Sequence, residues 1–173
     1  FKPVLMAILI SPMIVPLIIT AAGMFFFYSK IGLTHTYLGL ILAHTALGTP
    51  FVVITVTATL TGFDTNLIRA SQSLGADTMR TFFKVIMPLI LPGVISGGLF
   101  AFITSFDEVV IVMFVGSVEQ ITIPKQMWAG LRQETSPVIL CMATCLVALS
   151  IALLTTVEML RRRSERLRGI KQR

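Results

Sequence analysis

Long apolar segments alternate with short polar segments along this chain. Four of the apolar segments are long enough to cross a bilayer, because a spanning helix needs about 20 apolar residues. They cover residues 3–28, 37–60, 86–115 and 137–160. Residues 29–36 form a short connection, and the longer polar segments between and after the apolar ones cover residues 61–85, 116–136 and 161–173. This pattern predicts an all-α fold, a polytopic bundle of about four spanning helices that forms a single membrane domain over residues 1–173.

The composition and the charge distribution also indicate an integral membrane protein. Hydrophobic residues make up 55% of the chain and charged residues 13%, which excludes an ordinary soluble domain. Much of the basic charge lies in the terminal tail, in Arg161, Arg162, Arg163, Arg166, Arg168, Lys171 and Arg173. Basic residues favour the cytoplasmic side, so we expect the tail and residues 61–85 in the cytoplasm and residues 116–136 in the periplasm. We expect no nucleic-acid partner.

Two of the apolar segments carry signs of bending. Pro12 and Pro16 lie one turn apart in the first segment and predict a kink in its helix. The third segment, residues 86–115, is too long for one straight span of about 20 residues, so it must bend or partly leave the bilayer. Within it, Gly93 and Gly97 stand one turn apart and Gly98 extends this pair, which favours the close approach of another helix. The alternative is a simple flexible kink.

The polar segment 61–85 has the pattern of two short helices joined by a sharp turn. The apolar face of the first helix, residues 66–73, is formed by Leu67, Ala70 and Leu74. Gly75 permits the positive φ that the turn requires, and Asp77 or Thr78 can cap the second helix. Such apolar faces fit a groove on a cytoplasmic partner. They also fit a loop that lies against its own bundle or against the lipid surface.

Two adjacent carboxylates, Asp107 and Glu108, lie within the third apolar segment. An ionised carboxylate at membrane depth costs about 2.5–3.5 kcal/mol on insertion scales, so these groups need water or a cationic partner. Thr104 stands one helical turn before both acids, and Phe106 supplies an aromatic face that suits an ammonium group. We therefore predict that these four residues line a path for a cationic substrate. The alternative is a carboxylate pair at the outer interface or in a structural salt bridge.

His44 lies within the second apolar segment, on a face with Leu40 and Gly48. It fits a polar path through the membrane. A lone intramembrane histidine is more often a packing residue, so both roles stay open.

Several kinds of chemistry have no signature in this sequence. It contains no phosphate-binding glycine motif, no nucleophile elbow and no metal-ligand cluster. We therefore expect no catalytic residue, no metal and no cofactor site on this chain, and energy must come from a partner or from an ion gradient.

The stretch from Ile68 to Gly93, IRASQSLGADTMRTFFKVIMPLILPG, resembles the cytoplasmic loop of permease subunits of ABC importers. That loop is described as Glu-Ala-Ala, three residues, Gly, and then an apolar helix that ends in Leu-Pro. The residues that match it are Ala70, Gly75, Ala76 and Pro88. The residues that replace its acidic residue, second alanine and leucine are Arg69, Ser71 and Met87. The Phe-Asp-Glu-Val-Val run at residues 106–110 resembles the branch that serves spermidine and putrescine importers.

The resemblance implies a MetI-like permease in a bacterial inner membrane that alternates between outward and inward access. It also implies a second permease subunit in a heterodimer, a periplasmic or surface binding protein, and a dimer of cytoplasmic ATPase subunits that binds ATP and Mg²⁺. The residues that it places in the ATPase groove are Arg69, Ala70, Ser71, Leu74, Gly75 and Ala76. It assigns Asp107 and Glu108 to polyamine passage, and it leads us to expect further helices before Phe1.

Other functions also fit the sequence. A proton-coupled secondary transporter would use Asp107 or Glu108 as a proton relay. An ABC permease of the same kind would serve an opine, an amino-acid-like compound or another solute. A membrane scaffold would use the segment 61–85 only to recruit a cytoplasmic protein.

Overall fold

A computed structural model describes residues 2–133 and 137–167 of the chain. All regular secondary structure in these two stretches is helical. The helices are α1 (Lys2–Ile14), α2 (Leu17–Ile31), α3 (Tyr37–Thr61), α4 (Asn66–Ser73), α5 (Thr78–Thr81), a π-helical turn (Phe82–Ile86), α6 (Met87–Phe106), α7 (Val110–Val115), α8 (Ile123–Gln133) and α9 (Pro137–Leu167). Within residues 2–133 and 137–167, three helical segments are long and apolar enough to cross a membrane, or four if α1 and α2 together count as one span.

The centre of the fold is the pair formed by α3 and α6. Small residues bring the two backbones together: a Cβ built on Gly97 would lie 2.6 Å from the Cα of Val52, and one on Gly48 would lie 2.9 Å from the Cβ of Ala101. A Cβ on Gly93 would meet the hydroxyl of Thr59. The predicted close approach of a helix at Gly93 and Gly97 is therefore confirmed, and the approaching helix is α3. The prediction was wrong for Gly98, where a Cβ would meet no atom of the described residues within 4 Å.

The first apolar segment is broken at its second proline. α1 and α2 meet at an angle of 109°, whereas the sequence predicted one kinked helix over residues 3–28. The break follows from Pro16, which has no N–H to donate and disfavours helical backbone at Val15. α2 continues to Ile31 and ends at Gly32, whose φ of 71° is left-handed.

The third apolar segment begins earlier and ends earlier than predicted. One helical unit runs without interruption through α5, the π-helical turn and α6, from Thr78 to Phe106. The π-helical turn comes directly before Pro88, which cannot donate to the helical ladder. After Phe106 the chain breaks, and the rest of the predicted segment forms the separate helix α7. The unit has 29 residues and is about 43 Å long, more than the roughly 30 Å of a hydrocarbon core.

A small apolar core anchors α7 to the rest of the bundle. Ile111 and Val115 are completely buried, and they lie with buried residues of α2 and α3, which are Ala21, Tyr28, Ala43 and Leu47. The segment after α7 contains α8, where the sequence predicted a polar connection over residues 116–136.

The last apolar segment forms α9, and its spanning part is Pro137–Thr156. The helical backbone continues to Leu167, into the basic tail predicted at residues 161–173. Arg168, Lys171 and Arg173 lie outside the described residues.

Candidate functional site

The loop between α3 and α5 has the geometry that the sequence predicts. Gly75 has a φ of 80°, and its N–H donates to the carbonyl oxygen of Gln72 at 2.9 Å. The carboxylate of Asp77 accepts a hydrogen bond from the N–H of Arg80 at 2.6 Å, so Asp77 rather than Thr78 caps the second helix. The predicted turn at Gly75 is confirmed.

A partly buried hydrogen bond fixes the two arms of the turn to each other. The hydroxyls of Ser71 and Thr81 lie 2.8 Å apart, and Thr81 is 2% exposed. Ser71, which the resemblance placed in the ATPase groove, is therefore half-buried and holds α4 to α5. Arg69, Ala70 and Gly75 are exposed, and Ala76 is half-buried.

Large apolar side chains project from this loop. Leu74 is 89% exposed, Met79 68% and Phe83 59%. Together with the exposed Leu67 they form what we call the loop surface. Because Leu74 is almost fully exposed, the loop surface does not lie against its own bundle within the described residues. It has the character of a docking surface for a partner or for a lipid surface.

The acidic pair divides into two different environments. Asp107 is exposed at the end of α6, whereas Glu108 is 6% exposed. The Oε1 atom of Glu108 accepts a hydrogen bond from the N–H of Ile111 at 2.8 Å and so satisfies one of the free N–H groups in the first turn of α7. Glu108 thus has a structural role that the sequence did not reveal.

Three of the four residues predicted for the substrate path lie together. Thr104, Asp107 and Glu108 line a cavity of about 410 Å³. Thr104 and Glu108 also line a neighbouring cavity of about 380 Å³ beside the break between α1 and α2. The ring of Phe106 stacks on Phe102 at a centroid distance of 5.7 Å.

A larger cavity, of about 880 Å³, lies on another face of the α3 and α6 pair. It contains His44, whose Nδ1 atom lies 2.9 Å from the hydroxyl of Ser105 on α6. Residues 119–122 form its rim and bring Glu119 and Gln120 to it. The sequence drew attention to His44 but gave no signal for Ser105, Glu119 or Gln120, which are far from it along the chain.

The rim of this cavity is held by a dense set of hydrogen bonds. The backbone N–H of Ser117 donates to the side-chain oxygen of Gln120 at 2.9 Å, and the N–H of Gln120 donates to the hydroxyl of Ser117 at 3.2 Å. The ammonium of Lys125 donates to the carbonyl oxygens of both residues. His35, at a φ of 62°, donates its N–H to the carbonyl oxygen of Val115. Glu119 is therefore carried on an ordered turn.

The sequence profile of binding-protein-dependent transport system inner membrane components matches residues 1–166 of this chain. The chain belongs to this family. It is a multi-pass membrane protein, and the family profile covers its loop, its acidic pair and its cavities alike.

Three curated relatives carry names from polyamine transport. The chain is 30% identical over 163 residues to the spermidine/putrescine transport system permease protein PotC of Haemophilus influenzae, which covers 94% of this chain and 63% of that protein. It is 29% identical to PotC of Escherichia coli K12, over 93% of this chain and 61% of that protein. It is also 29% identical to the putrescine transport system permease protein PotI of the same strain, over 79% of this chain and 51% of that protein. The chain thus spans about three fifths of the PotC proteins.

A solved structure has the same fold. A chain of the MetNI methionine ABC transporter in an inward-facing conformation matches with a TM-score of 0.73 and 22% identity, over 94% of this chain and 73% of that chain. The predicted all-α membrane bundle of the MetI-like kind is therefore confirmed.

The environment of Glu108 leads to a stability prediction. Replacing Glu108 with alanine leaves the buried N–H of Ile111 without its acceptor, so we expect the free energy of unfolding to fall by about 1–2 kcal/mol. Glu108→Gln keeps an acceptor oxygen and should restore most of this loss. Denaturant unfolding in detergent measures both variants.

Asp107→Ala is the matched control, because Asp107 is the exposed member of the pair and its removal should change stability by less than about 0.5 kcal/mol. Equal destabilisation by the alanine variants of both acids would refute the structural role of Glu108.

Proposed function

We propose that this chain is the transmembrane permease subunit of an ATP-driven importer in a bacterial inner membrane. The observation that carries the proposal is the loop surface, a set of exposed apolar side chains on a rigid two-helix turn. This turn is continuous with the helical unit Thr78–Phe106. A surface of this kind needs a partner, and its direct connection to a spanning helix suits the transmission of movement. The membership of the family supports the proposal.

The partner of the loop surface is a dimer of cytoplasmic ATPase subunits, which would hold ATP and Mg²⁺. Closed and open forms of this dimer would contact the loop surface differently, and the difference in contact free energy would drive the exchange between outward and inward access. The Ser71 and Thr81 hydrogen bond makes the turn stiff enough to move as one piece with the start of the spanning unit. The chain itself would hydrolyse nothing.

The remaining partners are a second permease subunit and a substrate-binding protein. Exposed apolar side chains on α1, α2 and α9 would face lipid or the second permease, with which this chain would form a heterodimer. The binding protein would deliver the solute on the side of the membrane where α7 and α8 lie.

The solute that fits best is a small cationic amine such as spermidine or putrescine. The names of the PotC and PotI relatives support this class. Carboxylates of Asp107, Glu108 and Glu119 line the three cavities, and carboxylates attract ammonium groups. An opine or an amino-acid-like solute would use the same architecture. A proton-coupled transporter would not need the loop surface.

Replacement of Leu74 with aspartate tests the proposal. Leu74 is 89% exposed, so the variant should fold and insert normally, but a charge at this position should prevent docking in an apolar groove. We expect the chain purified from its native membrane in mild detergent to carry a stoichiometric ATPase and a second permease. The Leu74→Asp variant should lose the ATPase.

Val118→Asp is the matched control, because Val118 is 90% exposed at the opposite end of the α3 and α6 pair. It should keep the ATPase. An unmodified chain that purifies without any ATPase, or a Leu74→Asp variant that keeps it in full, would overturn the proposal.

A further inference from the structure

The cavity of about 880 Å³ has the chemical character of a site for a linear amine. Its size lies within the roughly 300–1,000 Å³ that is usual for small-molecule sites. Most of its wall is apolar, formed by side chains such as Leu40, Ile41, Val52 and Val53 of α3. Polar groups interrupt this wall at separate places, the rim and the His44 and Ser105 pair. A linear amine has the same alternation, because methylene groups separate its ammonium groups.

The rim supplies the negative charge. Glu119 is exposed and lines the cavity, on the turn that Ser117 and Gln120 hold in place. The ammonium of Lys125 donates hydrogen bonds to backbone carbonyl oxygens of that turn, and these bonds hold the cation in place. The exposed carboxylate of Glu119 can thus pair with an ammonium group in the cavity, and Tyr37 adds an aromatic face at the same cavity.

The interior supplies neutral hydrogen-bonding groups. The Nδ1 atom of His44 and the hydroxyl of Ser105 form one hydrogen bond between α3 and α6. When Nδ1 carries the proton and donates to Ser105, the Nε2 atom of His44 has a free lone pair that accepts from an ammonium group. Thr45 and Thr49 return their hydroxyl protons to their own helix, so their oxygens remain acceptors toward the cavity.

We propose that this cavity is a binding site for one aminoalkyl arm of a linear diamine or polyamine. One ammonium group pairs with Glu119, the methylene chain lies along the apolar wall, and the next ammonium group bonds to His44, which Ser105 positions. The proposal rests on the proposed function and adds a site separate from the cavities at Asp107 and Glu108. It also explains why a histidine and a serine face each other across the central helix pair.

Glu119→Gln is the first test, with the complex of permeases, ATPase and binding protein reconstituted in lipid. The variant keeps the size of the side chain and removes its charge. We expect the half-saturating putrescine concentration for ATPase stimulation to rise about tenfold, the effect of losing one charged hydrogen bond. Asp64→Asn removes the same charge outside the cavity and keeps the acceptor for the N–H of Asn66, so it should leave the half-saturating putrescine concentration unchanged.

Ser105→Ala tests the inner end of the site. It should raise the half-saturating concentration for putrescine but leave that for butylamine unchanged, because a monoamine held at Glu119 has no second ammonium group to reach His44. If Ser105 had only a structural role, Ser105→Ala would raise the half-saturating concentrations of both amines alike. That result would overturn the assignment of the inner end.

Direct occupancy is measured by cysteine protection, in a chain that carries Cys141→Ala and Cys145→Ala. Thr45→Cys lies in the cavity and Thr61→Cys lies at the far end of α3. Putrescine should slow the reaction of a water-soluble maleimide with the first at least fivefold, since a bound amine covers it, and should not affect the second.

The outcomes separate this site from the proposed function. Suppose that amines stimulate the ATPase but putrescine does not slow labelling of Thr45→Cys, or that Glu119→Gln leaves the half-saturating putrescine concentration unchanged. Either result would overturn the site and leave the importer intact. A Thr45→Cys that never reacts in the complex would show that lipid or the second permease fills the cavity, which also overturns the site. A complex that no amine stimulates would instead refute the proposed solute class.

Discussion

Replacement of Gly75 with proline should abolish amine-stimulated ATP hydrolysis while the chain still inserts and folds. Gly75 has a φ of 80°, whereas proline holds φ near −65°, so the turn between α4 and α5 cannot keep its shape. Proline also removes the N–H that donates to Gln72. The loop lies outside the central helix pair, so the damage should stay local. ATPase activity of the reconstituted complex, with and without spermidine and binding protein, measures the effect.

Gly62 provides the matched control in the same loop. Its φ is −91°, which any residue adopts, and a Cβ at this position would meet no atom within 4 Å in the part of the chain that the structure describes. Gly62→Ala should keep full stimulation, whereas Gly75→Ala should weaken it, because a positive φ costs an alanine about 1–2 kcal/mol. Full stimulation in the Gly75→Pro variant would contradict a rigid coupling turn.

Replacement of Gly97 with valine should unfold the central helix pair. A Cβ on Gly97 would overlap the hydroxyl of Thr55 and lie 2.6 Å from the Cα of Val52, and backbone cannot yield as the end of a flexible side chain can. Overpacking in a tight core costs about 1–3 kcal/mol, and a clash with backbone belongs at the upper end. We expect a loss of monodisperse protein and a fall in its thermal midpoint in detergent.

The neighbouring Gly98 provides the matched control for Gly97→Val. It lies in the same turn of α6, but a Cβ there would meet no atom of the described residues within 4 Å. Gly98→Val should therefore fold nearly as well as the original chain. Equal loss of folded protein in both variants would show that helix propensity, and not the contact with α3, decides the result.

Local signals in the sequence predicted the parts of the structure that depend on local chemistry. A glycine between two short amphipathic patterns predicted the turn at Gly75, since only a positive φ reverses the chain so sharply. The capping role of Asp77 follows from its place just before α5. The spacing of Gly93 and Gly97 predicted a close helix contact, because two missing side chains on one face leave room for a backbone.

The features that the sequence did not reveal depend on contacts between distant residues. The hydrogen bond between Ser105 and His44 joins residues 61 positions apart, and no local pattern predicts it. The adjacent Asp107 and Glu108 looked alike in sequence, yet the start of α7 buries only Glu108. Pro16 accounts for the break between α1 and α2, but it does not set the size of the bend. The angle of 109° accompanies different contacts of the two helices, α1 with α3 and α2 with α7.

In the proposed function, ATP binding and hydrolysis on a partner, transmitted through the loop surface, drives solute movement through this chain. The uptake of labelled spermidine into proteoliposomes that contain the purified complex and its binding protein tests this directly. We expect uptake with ATP on the ATPase side that an uncoupler does not affect, and no uptake in the Leu74→Asp variant. Uptake that a proton gradient drives without ATP, and that Leu74→Asp leaves unchanged, would contradict it.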